Sequence, residues 1–510
     1  MRSDTSQRLA YALVVLPATL LMAMVVFVIA QRYAYPYQLE WIEGSVLQHV
    51  VRVLDGQPVY AAPDMQFAPA LYTPLYYYAA AVVSWFTAPG LPALRLVSLA
   101  GCALAAFAIA GMTWRLTRSR LAVALSLLLV ALPFRFTGMW FDVARVDSLW
   151  AGLLLLTGLL LSRLHVGSRP APMWLAAVCF VLAIMTKQTS LFLAPFLLFT
   201  VACWAGWRVA WHTSIMVLGL LLLCVAFFEW QSQGWFWFFT MGMAGQHHMT
   251  QGFPWHFFKG DLLEAMPVLW CLAGWQLKTA WLTSRQQCVG WCGLLLGVIA
   301  MTLLARLYAG GAPNVTMPMH WFILPLAVAG FHHWVMQGSV LQRWLVTVLL
   351  AANVVWGGFM PQWFVPSAQD RAYGDALVAR LAAVPGRVCV SRDAYLAWLA
   401  GKGFCAHETQ MTDILNSGNA NIAAALTQDA KHRILGGYYE VILVDNLFDI
   451  GNYVDVFTIP YVGTPLDLDE TQLRYFNPVS GGPRPHLWLQ LVPERAQPDL
   501  LLPLQSSVGD

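Results

Sequence analysis

Apolar residues in this chain come in long unbroken runs, not at the 3.6- or two-residue spacing of a half-buried helix or strand. The first run, Leu9 to Ala30, follows Arg2 and Arg8 and carries Val28 and Ala30 where a secretory signal would be cleaved. Its length argues otherwise: about 20 apolar residues cross a bilayer, whereas a signal core has only about 7–15. It reads as an uncleaved first helix with a cytoplasmic amino terminus. Ten further runs reach spanning length, some only by joining short segments: Leu94–Trp114, Leu121–Phe134, Ser148–Leu161, Ala171–Thr186, Ser190–Trp204, Thr213–Trp230, Leu262–Leu277, Cys288–Tyr308, Met319–Met336 and Leu341–Met360. The pattern therefore predicts eleven spans.

One more run, Leu71–Phe86, is equally apolar, and whether it crosses decides the sidedness of everything after it. If it does not cross, Arg115, Arg118, Arg120, Arg163, Arg169, Arg208, Lys278, Arg285 and Arg343 all fall on the cytoplasmic side, as the positive-inside bias requires. The acids agree. Of ten Asp and Glu before Pro361 only Asp4 is then cytoplasmic, while Glu40, Glu43, Asp55, Asp64, Asp142, Asp147, Glu229, Asp261 and Glu264 gather on the outer face. Leu71–Phe86, with Tyr72, Tyr76, Tyr77 and Tyr78, is read as a helix lying in the outer interface, a depth that suits tyrosine.

Composition sharpens this picture. The chain is 59% hydrophobic and 11% charged, and 26 of its 55 charged residues lie between Pro361 and Asp510. The first 360 positions cannot form a water-soluble surface, so the reading is a polytopic α-helical membrane domain over 1–360, with a first outer loop at 31–92, and a small outer α/β unit over 361–510. In that unit Arg387–Ser391 and Val441–Asp445 read as buried strands, with helical stretches near Ala368–Ala382, Ala394–Leu399 and Ala420–Ala430. Seven of nine Cys lie in or beside spans and read as apolar filler; Cys389 and Cys405 fall in the outer unit, where a bridge is allowed and its absence is equally open. A net charge of +3 leaves no basic footprint for nucleic acid, and 24 Trp, 27 Phe and 17 Tyr exclude disorder.

Charge in or near hydrocarbon costs roughly 2.5–3.5 kcal/mol, so ionisable groups at span ends need a reason. Three outer loops hold most of them. The first carries Gln38-Leu39-Glu40-Trp41-Ile42-Glu43-Gly44, then an amphipathic stretch to Leu54, then Gly56-Gln57-Pro58-Val59-Tyr60, and ends on Phe67-Ala68-Pro69-Ala70-Leu71-Tyr72-Thr73-Pro74-Leu75-Tyr76. The second is Asp142-Val143-Ala144-Arg145-Val146-Asp147-Ser148, and the third is Thr186-Lys187-Gln188-Thr189.

In order and spacing these loops resemble the GT-C superfamily, and within it the bacterial branch similar to protein O-mannosyltransferases and the aminoarabinose transferase of lipid A. The match covers the first two hundred residues; Gly310-Gly311-Ala312-Pro313-Asn314 and the segment Arg387–Thr412 resemble the branch more weakly. The resemblance implies a multispan, GT-C-like enzyme of the bacterial inner membrane, acting as a monomer. It would take a sugar from a polyprenyl-phosphate carrier and attach it, with inversion, to a periplasmic lipid, glycan or protein.

The chemistry asks for the same residue types. Such a transfer needs a carboxylate to deprotonate the acceptor and cations to stabilise the departing phosphate. The resembled families place the acid just after the first span, which points to Glu43 with Glu40 in reserve; alignment by eye does not separate them. Asp147 matches the acid of the second loop, with a role in orienting the acceptor or the first loop. The spacing lets Asp142 face Arg145 across a helical turn. Lys187, Arg145 and Arg306 are the candidate phosphate ligands, and Asp142, Gln188, Tyr72, Tyr76 and His248 the candidate substrate contacts. His247-His248 lies in an aromatic outer segment that reads first as a plain interfacial loop, with a sugar or acceptor platform as the alternative. Adjacent histidines face different sides of a helix and make a poor metal pair, no Asp-x-Asp occurs in the first loop, and no Walker or dinucleotide motif is present, so no metal or other cofactor is expected. Asp413, His407 and Glu408 read first as a solvated surface, with an acceptor contact as the alternative. Rival readings are a ligase or polymerase using a pyrophosphate-linked oligosaccharide, and a transporter or scaffold without catalysis; a transporter would favour charges deep in several spans, which the clustering of acids at one face does not provide.

Overall fold

A computed structural model describes residues 2–165, 171–246, 249, 254–308, 310–445, 447–466, 479 and 487–501. Seven helices among them are long and apolar enough to cross a membrane: Thr5–Tyr33, Leu91–Thr117, Gln188–Ala205, Trp207–Gln231, Arg285–Leu307, Pro313–Gln337 and Val340–Trp363. Arg120–Phe134, Asp147–Leu161 and Pro172–Thr186 are shorter apolar helices. The chain is a multi-pass membrane protein.

The first third sets up the site. Helix α1 (Arg2–Tyr33) ends at a loop that leads into the amphipathic α2 (Glu43–Leu54); α3 (Leu75–Thr87) and α4 (Leu91–Thr117) follow, then α5 (Arg120–Leu129), α6 (Asp147–Leu161) and α7 (Ala171–Thr186). Thirteen residues at 1.5 Å each give α3 a length of about 20 Å, short of the ~30 Å hydrocarbon layer. It starts directly after Pro74, which leaves Tyr72 in a bend ahead of the helix. Tyr76 and Tyr77, expected at the lipid interface, are instead buried within the protein, while Trp85 and Phe86 carry the exposed aromatic face.

Where α4 crosses α6, small residues let the backbones touch. A Cβ added to Gly101 would lie 2.5 Å from Leu149 N, and one added to Gly152 would collide with the Gly101 carbonyl. At one end of this pair Arg115 Nη2 donates to the Ser162 carbonyl (2.6 Å), joining the ends of α4 and α6. At the opposite end gather the end of α1, the start of α4, the start of α6 and the end of α7.

Two expected spans are shifted by proline. The helix expected over Leu262–Leu277 runs from Pro267 to Thr283, because Pro267 occupies its first turn and bars Met266 from helical geometry. The run from Ser190 opens as a 3₁₀ turn, Gln188–Leu193, before α8 (Ala194–Ala205), whose first turn holds Pro195.

Beyond residue 361 the chain forms a four-stranded sheet, β1 (Val388–Val390), β2 (Val441–Val444), β3 (Tyr461–Pro465) and β4 (Leu487–Leu491), in the order β1-β2-β4-β3. The pair β1/β2 is parallel and the others are antiparallel. Helices Ala368–Ala382, Ala394–Leu399, Glu408–Leu415 and Ala420–Leu435 pack around it. Cys389 and Cys405, both fully buried, are joined by a disulfide. This part grips the first loop directly. Tyr37 Oη donates to Asp375 (2.5 Å), the Met65 amide donates to Asp429 Oδ2 (2.8 Å), Ala406 N donates to the Met65 carbonyl (2.9 Å), and Gln410 Nε2 donates to Ser45 Oγ (2.7 Å).

Candidate active site

Four buried ion pairs occupy the end of the helix bundle where α1, α4, α6 and α7 meet. Two of them hold the frame. Glu43, wholly inaccessible at the start of α2, accepts from Leu39 N (2.6 Å) and Arg95 Nη2 (3.0 Å) on Oε2, and from Ala144 N (2.6 Å) and Arg95 Nε (3.3 Å) on Oε1. Arg95, in the first turns of α4, spends its remaining donors on the carbonyls of Arg32, Tyr35 and Tyr37. Every direction from which a substrate proton could reach Glu43 is taken. The sequence reading puts Glu43 first as the base; in the fold it clamps two loops to α4.

The second frame pair also departs from expectation. Asp142 was read as facing Arg145, but its Oδ1 accepts from Arg32 Nη2 (2.7 Å), which donates as well to the Met139 carbonyl (2.9 Å). The loop does not wind as a helix here: residues 142–145 run through turn and bend, and the helix starts only at Asp147, so Asp142 and Arg145 do not share a helical face. One turn past Arg95, Ser98 Oγ donates to the Val143 carbonyl (2.7 Å), tying α4 to the loop.

The other two pairs sit together around Tyr72. Arg145 Nη1 donates to Glu40 Oε2 (2.7 Å) and its Nη2 to the Tyr72 hydroxyl (3.0 Å). Lys187, between α7 and the 3₁₀ turn, donates to Asp147 Oδ1 (2.7 Å), and Trp140 Nε1 donates to the other oxygen of Asp147 (3.1 Å). The Tyr72 ring centre lies 5.5 Å from the Arg145 guanidinium and 5.6 Å from Lys187 Nζ, so one phenol separates the two cations. Glu40 differs from Glu43 in one respect that matters. Its Oε2 takes Arg145 and the Ile42 amide (3.0 Å), while its Oε1 meets no donor among the described residues. Burial raises the Glu40 pKa, and the opposing Arg145 charge favours its ionised form. Unspent donors lie beside it: Arg145 Nε is buried without an acceptor, and two of the three Lys187 protons have none among the described residues.

The remaining candidates divide. Gln188 Nε2 ties the Leu71 carbonyl (2.8 Å) to that of Thr240 (3.0 Å), and its Oε1 stays unsatisfied. Tyr76 is buried and donates to the Leu94 carbonyl (2.8 Å), a brace between α3 and α4 with no open face. Arg306 donates to Asp261 (2.7 Å) and to the Gly311 carbonyl, outside the cluster around Tyr72. His248 lies outside the described residues. Among the described residues no group of three His, Cys, Asp or Glu could hold a metal ion.

Sequence reasoning gave no site role to Arg95 or Asn314 and preferred a solvated surface for His407. Asn314, buried, follows the Gly310-Gly311 pair and turns its side chain toward Asp147; the double glycine was its signal. His407 was read as solvated, yet it is fully buried against Trp41, with ring centroids 6.1 Å apart.

No family model matches this chain, and no curated protein does. Among solved structures, ArnT from Cupriavidus metallidurans bound to undecaprenyl phosphate superposes with a TM-score of 0.58 at 12% identity, over 94% of this chain and 99% of that one. Its apo state gives 0.59 at 11%, over 94% and 98%. The chain shares the fold of these ArnT structures. The archaeal oligosaccharyltransferase AglB from Archaeoglobus fulgidus with an inhibitory peptide and a dolichol-phosphate is similar at 11% identity and a TM-score of 0.49, over 88% and 72%, too remote to argue from. At such identity the ArnT likeness speaks for architecture alone.

Proposed function

We propose that this chain is a membrane glycosyltransferase that moves a sugar from a polyprenyl-phosphate donor to an acceptor on the extracytoplasmic side of a bacterial inner membrane. The reading takes eleven crossings from a cytoplasmic amino terminus, with the part after 361 outside. The observation that carries it is the arrangement around Tyr72: a buried carboxylate with one open oxygen beside two cations that keep unspent N–H donors. The ArnT structure of the same fold holds undecaprenyl phosphate, a lipid phosphate of the class this arrangement suits.

Glu40 is the base in this reading. Its Oε1 takes the proton from the acceptor hydroxyl or amine as the acceptor atom bonds to the anomeric carbon. The bond from that carbon to the phosphate oxygen breaks, configuration inverts, and the polyprenyl phosphate leaves with its new charge against Lys187 and Arg145. A raised Glu40 pKa makes the carboxylate a stronger base while Arg145 keeps it available as the anion. Asp147 holds Lys187 in place.

The test is incubation of the purified protein with undecaprenyl phosphates carrying different sugars, following release of undecaprenyl phosphate. At least one donor should be consumed by the wild type and not by Glu40→Gln. Consumption of pyrophosphate-linked donors alone would overturn the donor class, and an active Glu40→Gln would overturn the base.

A further inference from the structure

His407 lies 366 residues from Trp41 in sequence, yet it touches the Trp41–Ile42 peptide just after Glu40. It opens the helix Glu408–Leu415, and its Nδ1 accepts from the Thr409 amide (3.1 Å). An imidazole nitrogen that accepts from a backbone N–H carries no proton, so the proton of the neutral ring is on Nε2. Nε2 points at the Trp41 carbonyl oxygen, 3.0 Å away, and donates to it.

The Trp41 carbonyl and the Ile42 amide belong to one planar peptide unit. The N–H of that unit donates to Glu40 Oε2 (3.0 Å). His407 therefore grips the oxygen end of the peptide whose nitrogen end grips Glu40. With Oε2 held by Ile42 and Arg145, the carboxylate can present only Oε1 to an acceptor. The Cys389–Cys405 disulfide and the Ala406 N–H to Met65 carbonyl bond fix the backbone just before His407.

We infer that His407 is a positioning residue for the transfer reaction: it sets the Trp41–Ile42 peptide that aims the Glu40 carboxylate, so the part of the chain beyond 361 completes the site. This rests on Glu40 as the base. Misplacing a catalytic group by about 1 Å costs about 100-fold in rate, so His407→Ala should lower kcat by about 10- to 100-fold. The KM for the donor and the affinity for undecaprenyl phosphate should stay within about twofold, because Lys187 and the Arg145–Tyr72 contact are untouched. The acid limb of the pH profile should move to higher pH, because a loosened Ile42 amide no longer stabilises the Glu40 anion. The charges that bear on these groups are Arg145 and Glu43 on Glu40, and Arg392 and Arg145 on His407; His407→Ala removes none of them. His407→Gln places an amide donor at the Trp41 carbonyl and should restore most of kcat and the original acid limb.

The experiment is steady-state transfer across pH by wild type, His407→Ala and His407→Gln with the undecaprenyl-phosphate sugar consumed best, together with undecaprenyl phosphate binding and thermal melting of each. A wild-type kcat in His407→Ala, a loss of lipid phosphate affinity matching the loss of kcat, or a glutamine variant no better than alanine would each overturn the inference. A wild type that neither binds undecaprenyl phosphate nor consumes any donor would overturn the donor reading and this inference with it. An active wild type with an indifferent His407→Ala would overturn this inference alone.

Discussion

Replacing each of the two first-loop glutamates by glutamine separates their roles, because the amide fits one site and not the other. In Glu43, Oε2 faces the Leu39 amide and Arg95 Nη2, and Oε1 faces the Ala144 amide and Arg95 Nε. Whichever way a glutamine turns, its NH₂ group meets one backbone N–H and one guanidinium N–H. Each stranded donor costs about 1–3 kcal/mol, and breaking a buried pair costs about 3–5 kcal/mol as Arg95 loses its counter-ion. These costs overlap, so Glu43→Gln should lose at least about 3 kcal/mol of stability, visible as low expression and an earlier melt. Glu40 offers a glutamine an easy fit. The amide oxygen takes the place of Oε2 against Arg145 and Ile42, and the NH₂ falls where Oε1 has no protein donor to meet. Glu40→Gln also takes the counter-ion from buried Arg145 but strands no donor, so it should melt earlier than wild type and later than Glu43→Gln, and lose about 10²- to 10⁴-fold in transfer, the usual worth of a general base. The assay is a thermal melt in detergent beside donor consumption. A Glu43→Gln that melts like wild type and is inactive, with a normally active Glu40→Gln, would refute the reasoning and return the base to Glu43.

Three further outcomes follow from the same contacts. Tyr72→Phe keeps the ring between the two cations but removes the hydroxyl that accepts from Arg145 Nη2 (3.0 Å); a loss of about tenfold in kcat/KM, about 1.4 kcal/mol, is expected with an unchanged melt. The Cys389–Cys405 bridge spans a sequence separation of 16, for which chain entropy gives about 3 kcal/mol; a melt indifferent to reductant, or equal in a Cys389→Ala, Cys405→Ala double variant, would deny the bridge that role. Burial holds both His49 and His407 down at a pKa of about 4, so each is neutral when folded. Unfolded histidine takes up a proton below about 6.5, so the stability from each is intact above that pH and is lost as pH falls toward 4. That is about 2 kcal/mol per residue by pH 5, and melts of His49→Gln and His407→Gln should show a flatter acid limb than wild type.

Much of the membrane part was legible because hydrocarbon forces long apolar runs. Proline misled where it sits inside an apolar run: Pro267 delays its helix without interrupting hydrophobicity, and only the ban on helical geometry at Met266 reveals the boundary. The loops were legible as a set of residue types but not as partners. Spacing of three suggested that Asp142 meets Arg145, and that inference assumed a helix. Residues 142–145 are turn and bend instead, and Asp142 pairs with α1 while Arg145 pairs with the first loop. Arg95 looked like one more cation near a span end, since nothing local shows that the start of α4 lies under Glu43. His407 could not have been linked to Trp41, because the contact depends on how the sheet part seats on the first loop.

Pairing separates the Glu43–Arg95 fastener from the cluster around Tyr72, while the Arg32–Asp142 pair leaves some polar atoms unmatched but is wholly inaccessible. An ion taken from water into a low-dielectric interior carries a penalty of several kcal/mol unless a counter-ion and full hydrogen bonding offset it, so the buried acids Glu40, Glu43, Asp142 and Asp147 each have a cationic partner. Glu43 and Arg95 saturate one another and the backbone around them, which makes them effective fasteners and poor reagents. Reactivity belongs where pairing is incomplete. Glu40 keeps one oxygen without a donor, Arg145 keeps Nε without an acceptor, and Lys187 has protons to spare, all within reach of Tyr72. As drawn, the Glu40–Arg145 and Asp147–Lys187 pairs are electroneutral together, so an incoming phosphate gains no net attraction from them. It must instead supply the acceptors that these donors lack, and a departing phosphate, more negative at the moment the bond to sugar breaks, satisfies them better than the bound diester does. A neutral cluster with unmet donors thus favours the transition state over the substrate, which a cluster carrying free positive charge would not do to the same degree.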